Sequence, residues 1–179
     1  MDRHNPIRPA PTDELPHGEE HPRDASPAPK VPVVRCPQKV HAVDVGHGQL
    51  AWKLRNDERV AVHERTNARH LNRDMIEDPI DLVVCDASFI GLEVVLPAPL
   101  ALASDAARLI ALIKPQFQVG RANVGKGGVV RDPDLHRVVC ERIEAWLSDL
   151  PGWHVLGITQ SPIKGPEGNI EFLIAAEKR

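Results

Sequence analysis

The chain has 179 residues, of which 42% are hydrophobic and 26% are charged, and its formal net charge is -3. This length suits about one domain, the composition is that of a soluble globular protein, and no run of about 18 apolar residues could span a membrane. Three cysteines at unrelated spacings, Cys36, Cys85 and Cys140, fit neither a disulfide framework nor a zinc site. We therefore expect a reducing, cytoplasmic environment.

The first 38 residues are predicted to form a disordered, proline-rich tail. Nine of the 17 prolines fall within residues 1–37, and apolar residues hardly cluster there. Such a segment cannot bury enough surface to offset its ordering entropy. His4, His17 and His21 lie in this tail without a regular ligand spacing, which favours a solvated segment over a metal site.

From residue 39 onward, short apolar runs alternate with helical patterns, which predicts a mostly parallel sheet covered on both faces. The candidate strands are residues 39–45, 60–64, 81–86, 107–114, 153–160 and 170–177. Helices are predicted over residues 49–55, over 92–103 with a disturbance at Pro97 and Pro99, and from Asp132 to Pro151.

The helix from Asp132 has the clearest signals. Asp132 can cap it, and Pro133 occupies the first helical position. Its apolar face is predicted to consist of Leu135, Val138, Val139, Ile143, Trp146 and Leu147.

The last two strands are joined by residues 161–169, a loop too short for a parallel crossover, so they should pair antiparallel. A mostly parallel sheet with one antiparallel hairpin at its C-terminal edge is typical of S-adenosylmethionine-dependent methyltransferases. This is an analogy between folds, and the site must decide the function.

Ligands of open α/β sheets bind beyond the carboxyl ends of the strands. Asp86 and Lys114 end two predicted strands, and Glu171 lies at the start of the last one, so we expect all three near one rim. One carboxylate at a strand end is more often a cap. A lysine flanked by two carboxylates, however, is suited to taking a proton from a hydroxyl, because it must be neutral to act as a base and needs neighbours that orient it.

Two glycine patterns have competing interpretations. Residues 120–127, GRANVGKG, nearly match a phosphate-binding loop, but Gly127 replaces the hydroxyl residue that would hold magnesium. Residues 46–51, GHGQLA, match G-x-G-x-x-A after a strand, with Glu64 as a possible ribose-binding acid. Spacing alone leaves open a dinucleotide site or the first glycine loop of a methyltransferase.

Residues 114–131 contain no acidic side chain but hold Arg121, Lys126 and Arg131. The segment is either a mobile loop with coincidental charges or a basic strip that follows a phosphate backbone. We favour the nucleic-acid interpretation. Because the chain has few aromatic residues, backbone contact is expected in preference to base stacking.

Five segments, in chain order, closely resemble the TlyA family: VDVGHGQLAWKLRNDERV, ERTNAR, DLVVCDASFI, LIKPQFQVGRANVGKGGVVRD and SPIKGPEGNIEF. Members carry an FtsJ-like methyltransferase domain, methylate ribose 2′-hydroxyls of ribosomal RNA and have also been labelled haemolysins. Over residues 39–179 the resemblance implies this activity, with S-adenosylmethionine as cofactor and ribosomal RNA or ribosomal subunits as partners. The alternative is a non-catalytic RNA-binding remnant of the family.

The resemblance also implies roles for individual residues. Asp86, Lys114 and Glu171 match the last three positions of the family's lysine, aspartate, lysine, glutamate tetrad. Lys114 would activate the 2′-hydroxyl, held by the two acids. The residues that match the family's cofactor contacts are Asp44, Val45 and Gly46 after a strand, and Asn67 and Ala68 near the adenine.

The same comparison predicts a partial domain. The family's RNA-binding module, its first tetrad lysine and its first strand with a glycine-rich cofactor loop have no counterpart in this sequence. We therefore expect a Rossmann-like sheet with the first strand missing, unpaired edges on both neighbours of that strand, and impaired cofactor binding. The segment VPVVRC (31–36) could pair there only as an antiparallel hairpin, weakened by Pro32.

Overall fold

A computed structural model of the protein describes residues 37–179. Of the predicted tail, only Pro37 and Gln38 are among the described residues. Its three histidines and the segment VPVVRC lie outside them. None of the helices within residues 37–179 is both long and apolar enough to cross a membrane.

Strands and helices alternate along the described chain. The strands are β1 (Val40–Val43), β2 (Val60–His63), β3 (Ile80–Cys85), β4 (Ala103–Ile113), β5 (Trp153–Gln160) and β6 (Phe172–Lys178). The α-helices are α1 (Trp52–Arg55), α2 (Leu92–Val95), α3 (Pro97–Ala101), α4 (Pro115–Gln118) and α5 (Pro133–Ser148). Each predicted strand is present, with its ends shifted by four residues or fewer.

The strands form two sheets. β1 pairs parallel with β2, while β3, β4, β6 and β5 form a four-stranded sheet in that order. In the larger sheet β3 and β4 are parallel, and β6 is antiparallel to both β4 and β5. Since β5 therefore runs in the direction of β4, β6 alone is reversed. This confirms the predicted mostly parallel sheet with an antiparallel C-terminal hairpin.

One face of the four-stranded sheet forms the core. Along β4 the alternate residues Ala107, Leu109, Ala111 and Ile113 are all at most 1% exposed, as the two-residue period of a strand requires. Side chains from α2, α3 and α5 pack against this face. The opposite face remains open in the described residues, where Leu82, Val84 and Ile110 are exposed. The expectation that both faces are covered is therefore wrong for this part of the chain.

The helices agree with the sequence prediction only in part. Asp132 caps α5 by accepting a hydrogen bond from the Asp134 backbone N–H at 2.9 Å, and Pro133 is at the first helical position, as predicted. The apolar face differs from the prediction, because Val138 is exposed and His136 is buried. The predicted helix over 92–103 is split in two, since Pro97 begins α3 and β4 already starts at Ala103.

Asp78 connects the small sheet to the segment that leads into β3. Its carboxylate lies 2.6 Å from Lys39 Nζ and 3.0 Å from His41 Nε2. Because a carboxylate only accepts hydrogen bonds, the His41 Nε2–H donates to it. His41 Nδ1 then lies 3.0 Å from His63 Nε2. Burial, followed by the positive charges of His41 and Lys39, lowers the pKa of His63.

This histidine predicts a specific pH dependence of stability. With the pKa of His63 lower in the folded state, the unfolded chain binds more protons once the pH falls below the ordinary histidine value of about 6.5. Stability should therefore decrease as the pH falls from 7.5 to 5.5. His63→Gln, which keeps a hydrogen-bonding nitrogen, should flatten this decrease in urea unfolding. The exposed His154→Gln is the control, and an unchanged pH slope in His63→Gln would contradict the prediction.

Candidate active site

Three predicted site residues flank the ends of strands. Asp86 directly follows β3, Lys114 directly follows β4, and Glu171 directly precedes β6. The antiparallel register of β4 and β6 pairs Ile113 with Phe172, so the next position places Lys114 opposite Glu171. The topology thus brings all three to one rim of the sheet.

Lys114 is held by two side-chain oxygens. Its Nζ lies 2.6 Å from Asp86 Oδ1 and donates a hydrogen bond to Ser88 Oγ at 3.1 Å. The Lys114 side chain is only 9% exposed, whereas the Asp86 side chain is 67% exposed. The amine is therefore fixed in a protected position at a rim where the carboxylate remains open to a ligand.

Glu171 is buried and has a different partner. Its Oε1 accepts a hydrogen bond from Gln116 Nε2 at 2.8 Å, and Gln116 is itself buried. A Cβ atom at Gly165 would lie 2.3 Å from the same oxygen, so a larger residue at this position would displace the Glu171 carboxylate. The residues that orient Glu171 are therefore Gln116 and the loop of Gly165.

The loop before β6 is tied to the basic segment by one buried asparagine. Asn169 Nδ2 donates hydrogen bonds to the backbone carbonyls of Gly128 and Pro166, both at 3.1 Å. Asn169 Oδ1 accepts from the Val130 backbone N–H at 3.1 Å. The end of the glycine-rich segment is thus fastened beside Glu171.

The predicted RNA-binding residues belong to this fastened segment. Arg121 opens the 3-10 turn Arg121–Asn123, Lys126 opens the 3-10 turn Lys126–Gly128, and Arg131 lies just before α5. Lys126 and Arg131 are exposed. Both side chains are therefore accessible to a phosphate backbone.

A cavity of about 810 Å³ adjoins Asp86. Its wall includes all five predicted cofactor residues, Asp44, Val45, Gly46, Asn67 and Ala68. The segment from Asp86 to Phe89 lines it as well. Cofactor sites commonly have volumes of about 300–1,000 Å³ and mostly apolar walls.

The chemistry of these residues fits an adenosine-bearing cofactor. Asp44 Oδ1 accepts a hydrogen bond from the Gly46 backbone N–H at 2.6 Å, which leaves the second oxygen of this exposed carboxylate for a sugar hydroxyl. Asn67 caps the following 3-10 turn, because its Oδ1 accepts from the Arg69 backbone N–H at 3.1 Å. That contact fixes the position of the Asn67 side chain at the cavity wall.

The two glycine patterns have other roles in the structure. GHGQLA follows β1, and the Gly48 backbone N–H donates to Glu64 Oε1 at 2.7 Å. Glu64 also pairs with Arg55 and His47, and the hydrogen bond from Arg55 is the main cause that lowers the pKa of Glu64. Because its carboxylate already binds protein groups, Glu64 is not available to bind the ribose of a dinucleotide. GRANVGKG forms short 3-10 turns, and α5 begins only at Pro133.

Sequence reasoning missed three residues at this rim. Ser88 holds Lys114, and Gln116 holds Glu171. Phe89 is 89% exposed with a positive φ of 64°, and its ring centroid lies 4.8 Å from that of Phe117. A non-glycine residue in that conformation is often held so for function. The sequence signal that could have identified them is their closeness to the predicted site residues, since Ser88 and Phe89 follow Asp86 and Gln116 follows Lys114.

Comparison with known proteins identifies the family of this chain. The profile of the FtsJ-like methyltransferase family matches residues 28–178. The chain belongs to the FtsJ-like methyltransferase family.

This FtsJ-like domain is similar in sequence to several named proteins. Over 135 residues it is 51% identical to the 16S/23S rRNA (cytidine-2′-O)-methyltransferase TlyA of Mycobacterium tuberculosis, covering 75% of this chain and 50% of that protein. Over 137 residues it is 41% identical to Hemolysin A of Brachyspira hyodysenteriae, covering 76% and 57%. The predicted resemblance to TlyA is thus confirmed, and the chain spans about half the length of the curated relatives it matches.

A solved structure agrees with these sequence relationships. A hemolysin-named protein from Streptococcus thermophilus superposes on the FtsJ-like domain with a TM-score of 0.74 at 43% identity. The superposition covers 79% of this chain and 51% of that one. The fold described above is therefore shared with this relative.

The Asn169 bridge yields a prediction about the FtsJ-like domain. Asn169→Ala would leave the Val130 N–H and the Gly128 carbonyl without their partner, while the Pro166 carbonyl keeps the backbone N–H of residue 169. The free energy of unfolding should fall by about 2–4 kcal/mol. Urea unfolding measures this loss. The exposed Asn123→Ala, in the same basic segment, should stay within about 0.5 kcal/mol of the parent chain. Equal stabilities of the two variants would show that the bridge contributes nothing.

Proposed function

We propose that this chain acts as an S-adenosylmethionine-dependent methyltransferase that modifies ribose 2′-hydroxyls of ribosomal RNA in the cytoplasm. The observation that carries the proposal is the 2.6 Å contact between Lys114 and Asp86, a residue that lines the cavity. The named relative that is an rRNA (cytidine-2′-O)-methyltransferase supports the choice of substrate. Ribosomal RNA or a ribosomal subunit would be the partner.

Lys114 would accept the proton of the attacking hydroxyl. A lysine acts as a base only in its neutral form and must be aimed at the proton it takes. Asp86 and Ser88 hold the amine from one side, and the register places Glu171 opposite it. As the hydroxyl oxygen takes the methyl group, its proton would pass to Lys114, and the donor would leave as a neutral thioether with the electron pair of the broken carbon–sulfur bond.

The cavity would hold the methyl donor. When bound, S-adenosylmethionine supplies an electrophilic methyl group on a sulfonium. Asp44 would bind its ribose, with Val45 and Gly46 at the same wall, while Asn67 and Ala68 would flank its adenine. Because both reactants would be held at one rim, most of the acceleration would come from their alignment.

The basic segment would orient the RNA. Lys126 and Arg131 are exposed, and the Asn169 bridge fastens the segment that contains them beside Glu171. Together with Arg121 they would contact phosphates. Phe89, an exposed ring three residues after Asp86, offers a surface on which a base can stack.

Methyl transfer provides the direct test. Lys114→Ala should reduce transfer of tritiated methyl groups to ribosomal subunits by about 100-fold or more, because the base is lost. Lys53→Ala, at an exposed position of α1, is the matched control and should keep the parent rate. Equal background counts from the parent chain and Lys114→Ala would instead support a non-catalytic RNA-binding protein.

The RNA contacts are tested by salt dependence. Replacing Lys126 or Arg131 with alanine should weaken binding to a ribosomal RNA fragment at low salt. Each loss should also reduce the slope of log K against log salt concentration by about 1. Lys53→Ala should leave the slope unchanged. Slopes that do not differ among these variants would remove the basic segment from the interface.

A further inference from the structure

A second cavity, of about 450 Å³, is lined by residues of α5, β5 and β6. It shares no lining residue with the cavity next to Asp86. Its volume falls within the range of about 300–1,000 Å³ that is common for ligand sites. We call this cavity the α5 groove, and the residues that define it are Arg131, His136, Ile158, Gln160, Ile170 and Phe172. The α5 groove is therefore separate from the proposed cofactor site.

The basic segment connects the rim of the active site with the α5 groove. Val130 is only 2% exposed, and both of its backbone groups are bonded to side chains. Its N–H donates to Asn169 Oδ1 at 3.1 Å, two residues before Glu171. Its carbonyl accepts a hydrogen bond from His136 Nε2 at 2.9 Å, and His136 lines the groove. An RNA strand that follows this segment past Glu171 would therefore reach the groove at Arg131.

The groove has an apolar floor and a polar border. The floor consists of Ile158, Ile170 and Phe172, which are partly buried. Gln160 lies two residues after Ile158 on β5, so the two side chains share one face of the sheet. In the strand register Gln160 pairs with Phe172. Within residues 37–179 the Gln160 amide has no hydrogen-bond partner, so it is free to bond to the edge of a ring that packs on the floor.

Two further groups on the border have unused bonding capacity. Because a carbonyl only accepts hydrogen bonds, His136 Nε2 is the protonated nitrogen, and Nδ1 of the neutral ring is an acceptor. His136 is 6% exposed, and no donor in the described part of the chain reaches its Nδ1. Arg131 is exposed and has no ion-pair partner among residues 37–179. Arg137, by contrast, is already paired with Asp134 and Glu141.

We propose that the α5 groove binds the base of a nucleotide that flanks the methylated one in the RNA. A nucleobase has apolar faces and an edge of hydrogen-bond donors and acceptors, which match the floor and the border of the groove. The phosphate of this nucleotide would meet Arg131. A free anion would bury no apolar surface there, and a purely apolar ligand would leave His136 and Gln160 without partners. The inference rests on the proposed RNA substrate and gives the groove a role in selecting the target position.

Binding of nucleoside 5′-monophosphates tests the site without any methyl transfer. The monophosphates of adenosine, guanosine, cytidine and uridine are added in turn to the isotope-labelled full chain, and the amide chemical shifts are followed by NMR. We expect at least one of them to shift amides of residues 131–140 and 158–172. Gln160→Trp, whose indole would fill the groove, should weaken this binding by about tenfold or more. His154→Trp, at an exposed position of β5 outside the groove, should keep the parent affinity.

Several results of this titration would overturn the proposal. One is the absence of shifts in the groove with every monophosphate, and another is equal affinity of the Gln160→Trp and His154→Trp variants. Equal shifts with inorganic phosphate alone would show that the groove binds only an anion at Arg131. Gln160→Ala removes the amide without adding bulk and should weaken binding by about 2- to 10-fold. If Gln160→Trp fails to fold, unchanged affinity in Gln160→Ala would overturn the proposal instead.

Binding of a ribosomal RNA fragment separates the groove from the phosphate contacts. Gln160→Trp should weaken RNA binding by about tenfold without changing the slope of log K against log salt concentration, because no phosphate contact is lost. Arg131→Ala should reduce that slope. RNA affinity unchanged by Gln160→Trp would overturn the flanking site alone. A parent chain that binds monophosphates in the groove but transfers no methyl group would disprove the proposed function and leave the nucleotide site in place.

Discussion

The pairing of β4 with β6 is the constraint on which the site depends. With Ile113 opposite Phe172, the two strands present Lys114 and Glu171 side by side at the rim. Side chains alternate along a strand, so a slip of one residue would send one of them to the opposite face. The buried row of β4 makes such a slip unfavourable, because it would expose Leu109 and Ile113, which are fully buried. Core packing therefore fixes the geometry of two polar residues that contribute nothing to the core.

The rim combines a protected amine with an exposed carboxylate. The Lys114 side chain is almost fully buried, while most of the Asp86 side chain remains exposed. Glu171 is held separately by Gln116, and the Asn169 bridge joins its loop to the basic segment. If the chain has the proposed function, a ligand in the cavity would meet the carboxylate of Asp86, and RNA on the basic segment would approach from the side of Glu171.

Sequence patterns predicted much of this fold because the signals were local. The apolar runs identified six strands, and Asp132 with Pro133 located the start of α5. The strand-end rule predicts that Asp86, Lys114 and Glu171 share one rim, and the ends of β3, β4 and β6 lie there. Local signals failed where a contact joins distant residues. Gln116 and Glu171 are 55 positions apart, and nothing in either neighbourhood indicates the bond between them. The exposure of Val138 likewise depends on which neighbours reach α5, which its helical period does not reveal.

The weakest contacts in the described fold are those between the sheet of β1 and β2 and the sheet that contains β3. The polar link through Asp78 is partly exposed, and solvent screening leaves such ion pairs little contribution to stability. The other link is a small apolar cluster formed by Leu71, Ile76 and Leu102. Asp44 directly follows β1, whereas Asp86 directly follows β3, so the shape of the cavity that both residues line depends on how firmly the two sheets are joined. Any contact that joins β1 rigidly to β3 would therefore also fix the distance between these two carboxylates.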